Sequence, residues 1–322
     1  MRPAGRVLAR IGGLLAGLIV VLWGAATLAF VAMRLIPGDP VDVMLGPQAQ
    51  VSDAVKDGIR RELGLDQTLA QQYAQYMGRL LRGDLGESYQ LRMPVADVIG
   101  RQLLPTLQLT GLALLIALVL ALVVAITVRR RAARIVVAGV ELVILSSPVF
   151  WIGLVLLTVF AFTLGWFPVT GSRNAASLVL PAVTLALPTA ALLGQVLRDG
   201  IEAAERQPFA VTVRARGASP SRLLLRHTLR HGATGALTLA AYLVGTLLGG
   251  AVLVETVFGR PGLGRVTLVA ITDRDLPVIG GIILLSALVF VVINIVVELT
   301  AAVIDPRLRR PAIADHARGG MP

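Results

Sequence analysis

Few residues in this chain have the types and spacing that enzyme chemistry requires. There is no cysteine, which excludes disulfides, thiolate metal sites and cysteine nucleophiles. Two of the three histidines, His227 and His231, lie in one basic segment, and this arrangement does not predict a metal site. Lys56 is the only lysine and is followed by aspartate, so the chain has no Gly-x-x-x-x-Gly-Lys-Ser/Thr loop for ATP. We therefore predict no catalytic residue, no metal site and no cofactor bound by this chain.

One short polar-flanked segment, from Gln207 to Gly217, instead has the spacing of a docking helix. Pro208 suits the first helical turn, where its missing N–H needs no partner, and Gly217 suits the position after a helix end. Ser219-Pro220 then suits the start of the next helix. The pattern predicts a helix of about two turns, from Pro208 to Arg216.

The predicted helix has an apolar face. Phe209, Thr212 and Val213 are separated by three or four residues and are expected on the same side. A helix this short is not stable alone, so its apolar face needs a partner surface. Two interpretations remain open: the face packs against helix ends of this chain, or it inserts into a groove of another protein.

A basic stripe follows this helix. Arg222, Arg226 and Arg230 recur every four residues on the helix that leads into the fifth apolar stretch. Such spacing is typical of an edge that faces solvent or lipid headgroups, and we prefer that interpretation to a specific contact.

The elements that must position these residues are membrane-spanning helices. Apolar residues make up 56% of the 322 residues, charged residues 15%, and the mean hydropathy is +0.78. One soluble core could not bury so much apolar surface. We predict an all-α polytopic membrane protein with six transmembrane helices, because six stretches reach the roughly 20 apolar residues needed to span a bilayer. They lie at about 8–33, 102–128, 135–164, 178–198, 233–254 and 279–304.

Two of these stretches contain helix-disturbing residues. Pro181 and Pro188 interrupt the fourth, and Ser146-Ser147-Pro148 predicts a kink in the third. The first apolar run, from Ile11 to Met33, is longer than a signal-peptide core, so we interpret it as a retained helix, with a cleaved signal as the alternative.

The distribution of arginines predicts the orientation. They concentrate near the N-terminus, in residues 129–134, in residues 198–230 and in the tail 307–322. Cytoplasmic loops have this basic excess, so both termini are predicted to be cytoplasmic. The net charge of +11 is then explained without nucleic acid, and we predict no nucleic-acid partner.

The first external loop, residues 37–99, is long and net acidic. It contains two predicted short helices. The first covers Ser52 to Leu63, and the second is marked by apolar residues at helical spacing, namely Tyr73, Tyr76, Met77 and Leu80. These helices either pack against the outer ends of the bundle or contact a solute.

Charged residues are expected at helix ends rather than in mid-span. Glu141 and Glu298 lie near predicted helix ends, and Arg34 and Arg101 flank helices. Ion-coupled carriers usually have ionisable groups near the midplane, so the energy for any transport should come from another subunit.

The chain resembles the permease subunits of ATP-binding-cassette importers for dipeptides, oligopeptides, nickel and related solutes. The similarity extends over nearly the whole chain and rests on short motifs in order. They are Pro37-Gly38-Asp39-Pro40, Leu63-Gly64-Leu65-Asp66, Arg82-Gly83-Asp84-Leu85-Gly86-Glu87-Ser88, Pro94-Val95, Leu104-Pro105-Thr106-Leu107, Val254-Glu255-Thr256-Val257-Phe258, Pro261-Gly262-Leu263-Gly264, Arg274-Asp275-Leu276-Pro277, Asn294 and Asp305-Pro306-Arg307.

The resemblance also assigns the docking helix. The family's cytoplasmic Asp-Tyr-Val-x-x-Ala-Arg-Ala-Lys-Gly motif is similar to the segment that ends in Arg214-Ala215-Arg216-Gly217, with Pro208-Phe209-Ala210 in place of its start. Glu202-Ala203-Ala204 is not the family's Glu-Ala-Ala element, which corresponds to Val211-Thr212-Val213. The resemblance implies that coupling to an ATPase involves Phe209, Thr212, Val213, Arg214, Ala215 and Gly217.

The resemblance implies the fold, the assembly and the role. The expected fold is the transmembrane domain of type I importers, divided into a first helix with its N-terminus (1–36), the external loop (37–99), a five-helix core (100–306) with a coupling loop (199–232), and the tail. The expected role is the translocation path of an importer in the bacterial inner membrane, working by alternating access. The alternative is a self-contained channel or ion-coupled carrier.

The resemblance also implies the partners. They are a paralogous permease in a heterodimer, two ATPase subunits that bind ATP and magnesium, an external solute-binding protein and membrane lipid. Peptides are the expected solutes, with nickel or a metal chelate as an alternative.

Overall fold

The computed structural model describes residues 3–35, 40–45, 51–62, 64–172 and 174–304. Within them the chain is helical and contains no β-strand. The helices are α1 (Pro3–Leu35), α2 (Pro40–Leu45), α3 (Asp53–Glu62), α4 (Leu69–Leu81), α5 (Val95–Thr127), α6 (Arg131–Ser146), α7 (Val149–Leu156), α8 (Ala176–Glu205), α9 (Pro208–Ala215), α10 (Pro220–Leu223), α11 (Leu229–Val257), α12 (Leu263–Thr272) and α13 (Leu276–Ile304). Two π-helical segments, Leu157–Thr163 and Leu224–Thr228, continue α7 and join α10 to α11.

Several predicted features lie outside the described residues. They are Pro37-Gly38-Asp39, Leu63, Asp305-Pro306-Arg307 and the tail 307–322, together with the side chains of Asn294 and Glu298.

The predicted all-α membrane fold is confirmed. In the described chain, five helical segments are long and apolar enough to cross a membrane, and a sixth crossing results if α6 and α7 form one bent span. The other five crossings are α1, α5, α8, the continuous segment Pro220–Val257 and α13. Each overlaps one of the stretches predicted from hydropathy.

The third predicted stretch differs from expectation, because a break replaces the expected kink. The axes of the helices before and after Ser147 differ by 108°. Ser147 has extended backbone angles (φ −92°, ψ 135°) and its N–H reaches back to the carbonyl of Ile144. The following Pro148 disfavours the helical conformation at Ser147 and has no N–H to continue the ladder.

The prolines of the fourth stretch do not interrupt α8. Pro181 lies inside the helix, so the carbonyl of Ser177 has no intrahelical donor from that position. Arg260, which is buried, donates from Nη1 to this carbonyl at 3.1 Å. A side chain from the segment after α11 therefore replaces the hydrogen bond that proline removes.

The chain divides into two compact units. The first contains residues 1–112, 149–184 and 248–291, and the second contains residues 113–148, 185–247 and 292–322. The first has an apolar core of Val95, Val98, Ile99, Ala270, Val278 and Ile282. The second has a core of Ala125, Leu197, Ile201, Leu224 and Ala236.

Both predicted helices of the external loop are present as α3 and α4. Helix α4 begins with a capping box, in which Thr68 and Gln71 exchange side-chain and backbone hydrogen bonds. It packs on α1, where Tyr73 lies edge-on to Phe30 at 5.3 Å and shares a 2.8 Å hydrogen bond with Thr27. Of the two roles left open for these helices, the structure gives α4 the packing role.

A buried carboxylate organises the motif residues of the first unit. Glu255 is fully buried and accepts hydrogen bonds from the Thr106 hydroxyl at 2.6 Å and the backbone N–H groups of Gly264 and Arg265 at 2.8 and 3.2 Å. These N–H groups belong to the first turn of α12, a helix that the sequence did not predict. The carboxylate therefore caps α12 and holds it to α5.

Glycines are required around this carboxylate. A Cβ atom on Gly262 would lie 2.1 Å from the Glu255 carboxyl carbon, and a Cβ atom on Gly264 would lie 2.2 Å from the Cα atom of Val252. The motif Pro261-Gly262-Leu263-Gly264 thus has a steric reason for both glycines.

A second buried carboxylate joins the external loop to α13. Asp275 accepts hydrogen bonds from the Ser88 hydroxyl and from the backbone N–H groups of Tyr89 and Gln90, at 3.2 and 3.3 Å. The Ser88 oxygen in turn accepts from the N–H of Leu91 at 2.9 Å. Two motifs that are distant in sequence therefore meet in one hydrogen-bonded turn.

We predict that Gly264→Ala destabilises the protein by about 1–3 kcal/mol, the usual effect of inserting a methyl group where none fits. The midpoint of heat-induced aggregation of the purified protein measures this. Gly249→Ala is the matched control, because its Cβ atom would meet nothing within 4 Å. An equal effect of both substitutions would contradict the steric role of Gly264.

Candidate functional site

The predicted docking helix is held between two helices whose backbones touch. A Cβ atom on Gly200 of α8 would lie 2.7 Å from the Cα atom of Gly232 on α11. A Cβ atom on Gly232 would lie 2.9 Å from the nitrogen of Ile201. Only glycine allows the two backbones to come this close. The contact fixes the distance between α8 and α11, the helices before and after α9.

The structure places α9 where the glycine and proline pattern predicted it. Gly217 has a φ of +78°, and its N–H donates to the carbonyl of Arg214 at 2.9 Å. The next N–H, from Ala218, donates to Val213 at 3.3 Å. These two bonds form a Schellman motif, which requires a left-handed residue that glycine adopts without strain.

One side of α9 faces this chain. Ala210 is fully buried, Val213 is half-buried, and the half-buried ring of Phe209 stacks on His231 with 5.0 Å between centroids. Arg214 donates to the carbonyl of Glu205, the last residue of α8, at 2.9 Å. The helix is thus attached to α8 and α11 by apolar contacts and by one guanidinium.

The opposite side of α9 is exposed. It consists of Pro208, Val211, Thr212 and Ala215, which recur at the three- and four-residue spacing of one helix face. Val211 is 62% exposed and is the largest apolar side chain on this face. We call these four residues the outer face of α9.

The structure divides the predicted coupling residues between the two sides. Thr212 and Ala215 belong to the outer face, whereas Phe209 and Val213 pack against this chain. Arg214 is tied to α8, and Gly217 ends the helix. Of the three residues predicted to share one face, Phe209 and Val213 are half-buried beside the buried Ala210, whereas Thr212 is exposed. Whether any of them docks on an ATPase stays a prediction.

Ion pairs attach α8 to α6 close to α9. Arg198 forms a two-point pair with Glu141, with Nη1–Oε1 and Nη2–Oε2 distances of 2.8 and 2.5 Å. Glu141 is buried, and Gly194 leaves room for the pair, since a Cβ atom there would lie 3.2 Å from Arg198 Nη1. Glu141, predicted to lie near a helix end, lies inside α6 and pairs with α8.

The remaining pairs extend along the same face of α8. Glu202 accepts from Arg134 at 3.2 Å and from Arg206 at 2.7 Å, and Glu205 pairs with Arg129. Glu202 begins the sequence Glu202-Ala203-Ala204, which differs in position from the family's Glu-Ala-Ala element. Its side chain belongs to the connection between α8 and α6.

Comparisons with known families identify the chain. The profile described as "Binding-protein-dependent transport system inner membrane component" matches residues 89–310, and the profile of the N-terminal part of such membrane components matches residues 7–110. The chain belongs to this family.

Curated relatives agree with this assignment. The chain is similar to the "Glutathione transport system permease protein GsiC" of Escherichia coli (strain K12) and of Shigella flexneri serotype 5b (strain 8401). Each is 35% identical over 303 residues, which is 92% of this chain and 97% of the relative. The chain is a permease of the dipeptide, oligopeptide and nickel importer family, as the motifs indicated.

Solved structures support the fold. An amino acid ABC transporter crystallised with histidines has a TM-score of 0.52 and 18% identity, covering 64% of this chain and 94% of that chain. The inward-facing methionine transporter MetNI (native crystal form) has a TM-score of 0.55 and 17% identity, covering 65% of this chain and 96% of that chain. The fold is that of an ABC importer transmembrane domain.

Family membership decides several predictions. This permease is a multi-pass protein of the bacterial inner membrane and a transport component, with ATP hydrolysis in a separate subunit. It works with ATPase partners and a binding protein. The alternative of a self-contained channel or ion-coupled carrier is not supported.

Sequence reasoning missed the features that depend on distant contacts. Val211 as the exposed apolar residue and the Arg198–Glu141 pair have no local signature. The backbone contact between Gly200 and Gly232 had no signal either, because both glycines lie in the predicted coupling loop 199–232, outside the predicted spans.

We predict that Glu141→Leu or Arg198→Leu alone destabilises this permease by about 3–5 kcal/mol, because each leaves an uncompensated buried charge. The double variant should recover most of this loss. A double-mutant cycle on the thermal midpoint measures the difference. Arg206→Leu is the control, since its exposed pair with Glu202 contributes about 0.5 kcal/mol or less. Additive losses in the double variant would contradict a direct buried pair.

Proposed function

We propose that this permease forms, with a paralogous permease, the translocation path for a small peptide, and that the outer face of α9 is its contact with an ATPase subunit. The observation that supports the contact most directly is the division of α9 into two faces. Phe209, Ala210 and Val213 attach the helix to its own chain, whereas Val211 and Thr212 face outward. An exposed apolar residue on a helix anchored from behind is suited to a groove in another subunit.

The same contacts suggest how movement is transmitted. We expect two ATPase partners to bind ATP with magnesium, and their closure to displace α9. Arg214 ties α9 to the end of α8, and the ion pairs of Arg198 with Glu141 and of Glu202 with Arg134 tie α8 to α6. Displacement of α9 should therefore move α8 and α6 together. Nucleotide binding favours one state of the bundle only by its differential affinity for the two states.

Lipid is proposed as a further partner. Arg222, Arg226 and Arg230 are exposed and repeat along one side of the segment that leads into α11. Anionic headgroups attract such basic residues by about 1 kcal/mol each near a cytoplasmic membrane surface.

The docking proposal predicts a loss of coupling in Val211→Asp. A carboxylate placed in an apolar groove loses its hydration, so we expect solute-stimulated ATP hydrolysis and transport to fall about tenfold or more. Both are measured in the assembled transporter in proteoliposomes. Ala203→Asp is the matched control, because Ala203 is exposed on α8 in the sequence that only resembles the coupling motif.

Two outcomes separate docking from folding. Co-purification of the ATPase subunits with the Val211→Asp permease measures docking directly and should decrease. Phe209→Asp should instead reduce the amount of folded permease, because Phe209 packs on His231. Unchanged activity and assembly in Val211→Asp would overturn the assignment of the outer face.

The solute proposal rests on the relatives named for glutathione transport. With the solute-binding protein that co-purifies, we expect reduced glutathione or a dipeptide to stimulate ATP hydrolysis several-fold, and Ni²⁺ to have no effect. Stimulation by Ni²⁺ but by neither peptide would contradict a peptide solute.

A further inference from the structure

The first unit contains a cavity of about 870 Å³ that the transport role described above does not use. Its wall combines the last turns of α1, the short helices of the external loop, the segment before α5 and the first turns of α13. Apolar side chains form much of this wall, among them Phe30, Met33 and Leu284. The cavity thus extends along the predicted external ends of two membrane-spanning helices.

Two arginines, Arg34 and Arg79, line the wall of the cavity. Arg34 lies over the ring of Phe30, with 5.5 Å between the guanidinium carbon and the ring centroid, and Arg79 projects from α4. Neither forms an ion pair with any residue in the described part of the chain. Burial raises the pKa of Tyr89, and both arginines lower it, so the two guanidinium groups act at the same tyrosine.

Acidic residues also line the wall of the cavity. Among the described residues, the carboxylate that acts on Tyr89 is Asp275, which already binds Ser88 and two backbone N–H groups. Glu62, Asp84 and Glu87 also line the wall, but none of them pairs with Arg34 or Arg79. The wall also contains Arg92, so its arginines and carboxylates are equal in number, and among the described residues Arg34 and Arg79 form no ion pair with these carboxylates.

Two buried polar atoms in the wall have no partner. The Tyr76 hydroxyl and Gln72 Oε1 are inaccessible and make no hydrogen bond. Gln72 is 8% exposed, and its Nε2 donates to the carbonyls of Leu65 and Gln67 at 3.2 and 2.7 Å, which fixes the amide. Both atoms are closed off from the cavity by neighbouring side chains, so they belong to the packed wall and do not face the open space.

We propose that this cavity binds an amphipathic anion, with its oxyanion group between Arg34 and Arg79 and its apolar part over Phe30 and Met33. Guanidinium groups bind carboxylates and phosphates through paired charge-assisted hydrogen bonds. The phosphate of a phospholipid and the carboxylate of a peptide share this chemistry. The site lies within the first unit and does not depend on the role proposed for α9.

Binding to the purified, assembled transporter without ATP tests the site. The probes are dioleoylphosphatidylglycerol, measured as retained lipid by native mass spectrometry, and radiolabelled reduced glutathione, measured by equilibrium dialysis. The double variant Arg34→Gln/Arg79→Gln should lower the affinity for the bound probe about tenfold or more, because two charged donors are lost. Arg82→Gln is the matched control, since Arg82 is exposed at the end of α4 and does not line the cavity.

A second variant fills the cavity and keeps the arginines. A Cβ atom on Gly280 would meet nothing closer than 3.7 Å, so Gly280→Leu is tolerated by the backbone and directs its side chain at the space beside Tyr76. It should reduce binding, whereas Gly78→Leu, with nothing within 4 Å of its Cβ atom, should not.

The two probes distinguish the source of the anion. Lipid retention that is lost in both cavity variants identifies a phospholipid site, and glutathione binding lost in the same variants identifies a solute site. The proposal is overturned if neither probe binds, or if Arg82→Gln and Gly78→Leu cause the same losses. Because no ATP is present, this result is independent of any failure of ATPase coupling through α9.

Discussion

A polar group inside a bilayer has no water to bind, so it must find its partner within the protein. This constraint organises both units of the permease. In the first unit, the carboxylate of Glu255 is satisfied by the first turn of α12, and the carbonyl released by Pro181 is satisfied by Arg260. Glu255 caps a helix that begins shortly after it in sequence, whereas Arg260 replaces a hydrogen bond in a helix 83 residues away. In both cases, satisfying the polar group also fixes the tertiary structure.

The same constraint shapes the region around α9. The paired charges of Arg198 and Glu141 are acceptable in an apolar bundle because each neutralises the other through two hydrogen bonds. Arg214 satisfies the last carbonyl of α8. The charged side chains of Arg198, Glu141 and Arg214 are therefore paired within the chain. The outer face of α9 presents mainly apolar and small side chains. Contact with another subunit at this face has to depend on shape and apolar surface.

The fold was predictable from the sequence because lipid imposes long apolar runs, and the limits of α9 were predictable because proline and glycine act locally. The orientation of α9 was not predictable, since it depends on which of Phe209, Ala210 and Val211 fits the space beside His231. The break at Ser147 was predicted only as a kink, because a local proline signal does not determine the size of a bend. Helix α12 is short and depends on the buried carboxylate of Glu255, so its formation rests on a tertiary contact that no periodicity reveals.

The contact between Gly200 and Gly232 has a mechanical consequence. Most helix pairs interlock through ridges of side chains, and a change in their crossing angle requires side chains to leave their grooves. At this point the two main chains touch directly, and Leu197 and Ile201 of α8 pack in one core with Ala236 of α11. The end of α8 at Glu205 lies about 7.5 Å further along the axis, at 1.5 Å per residue. The glycine contact therefore holds α8 against α11 within about two turns of the point where α9 is attached.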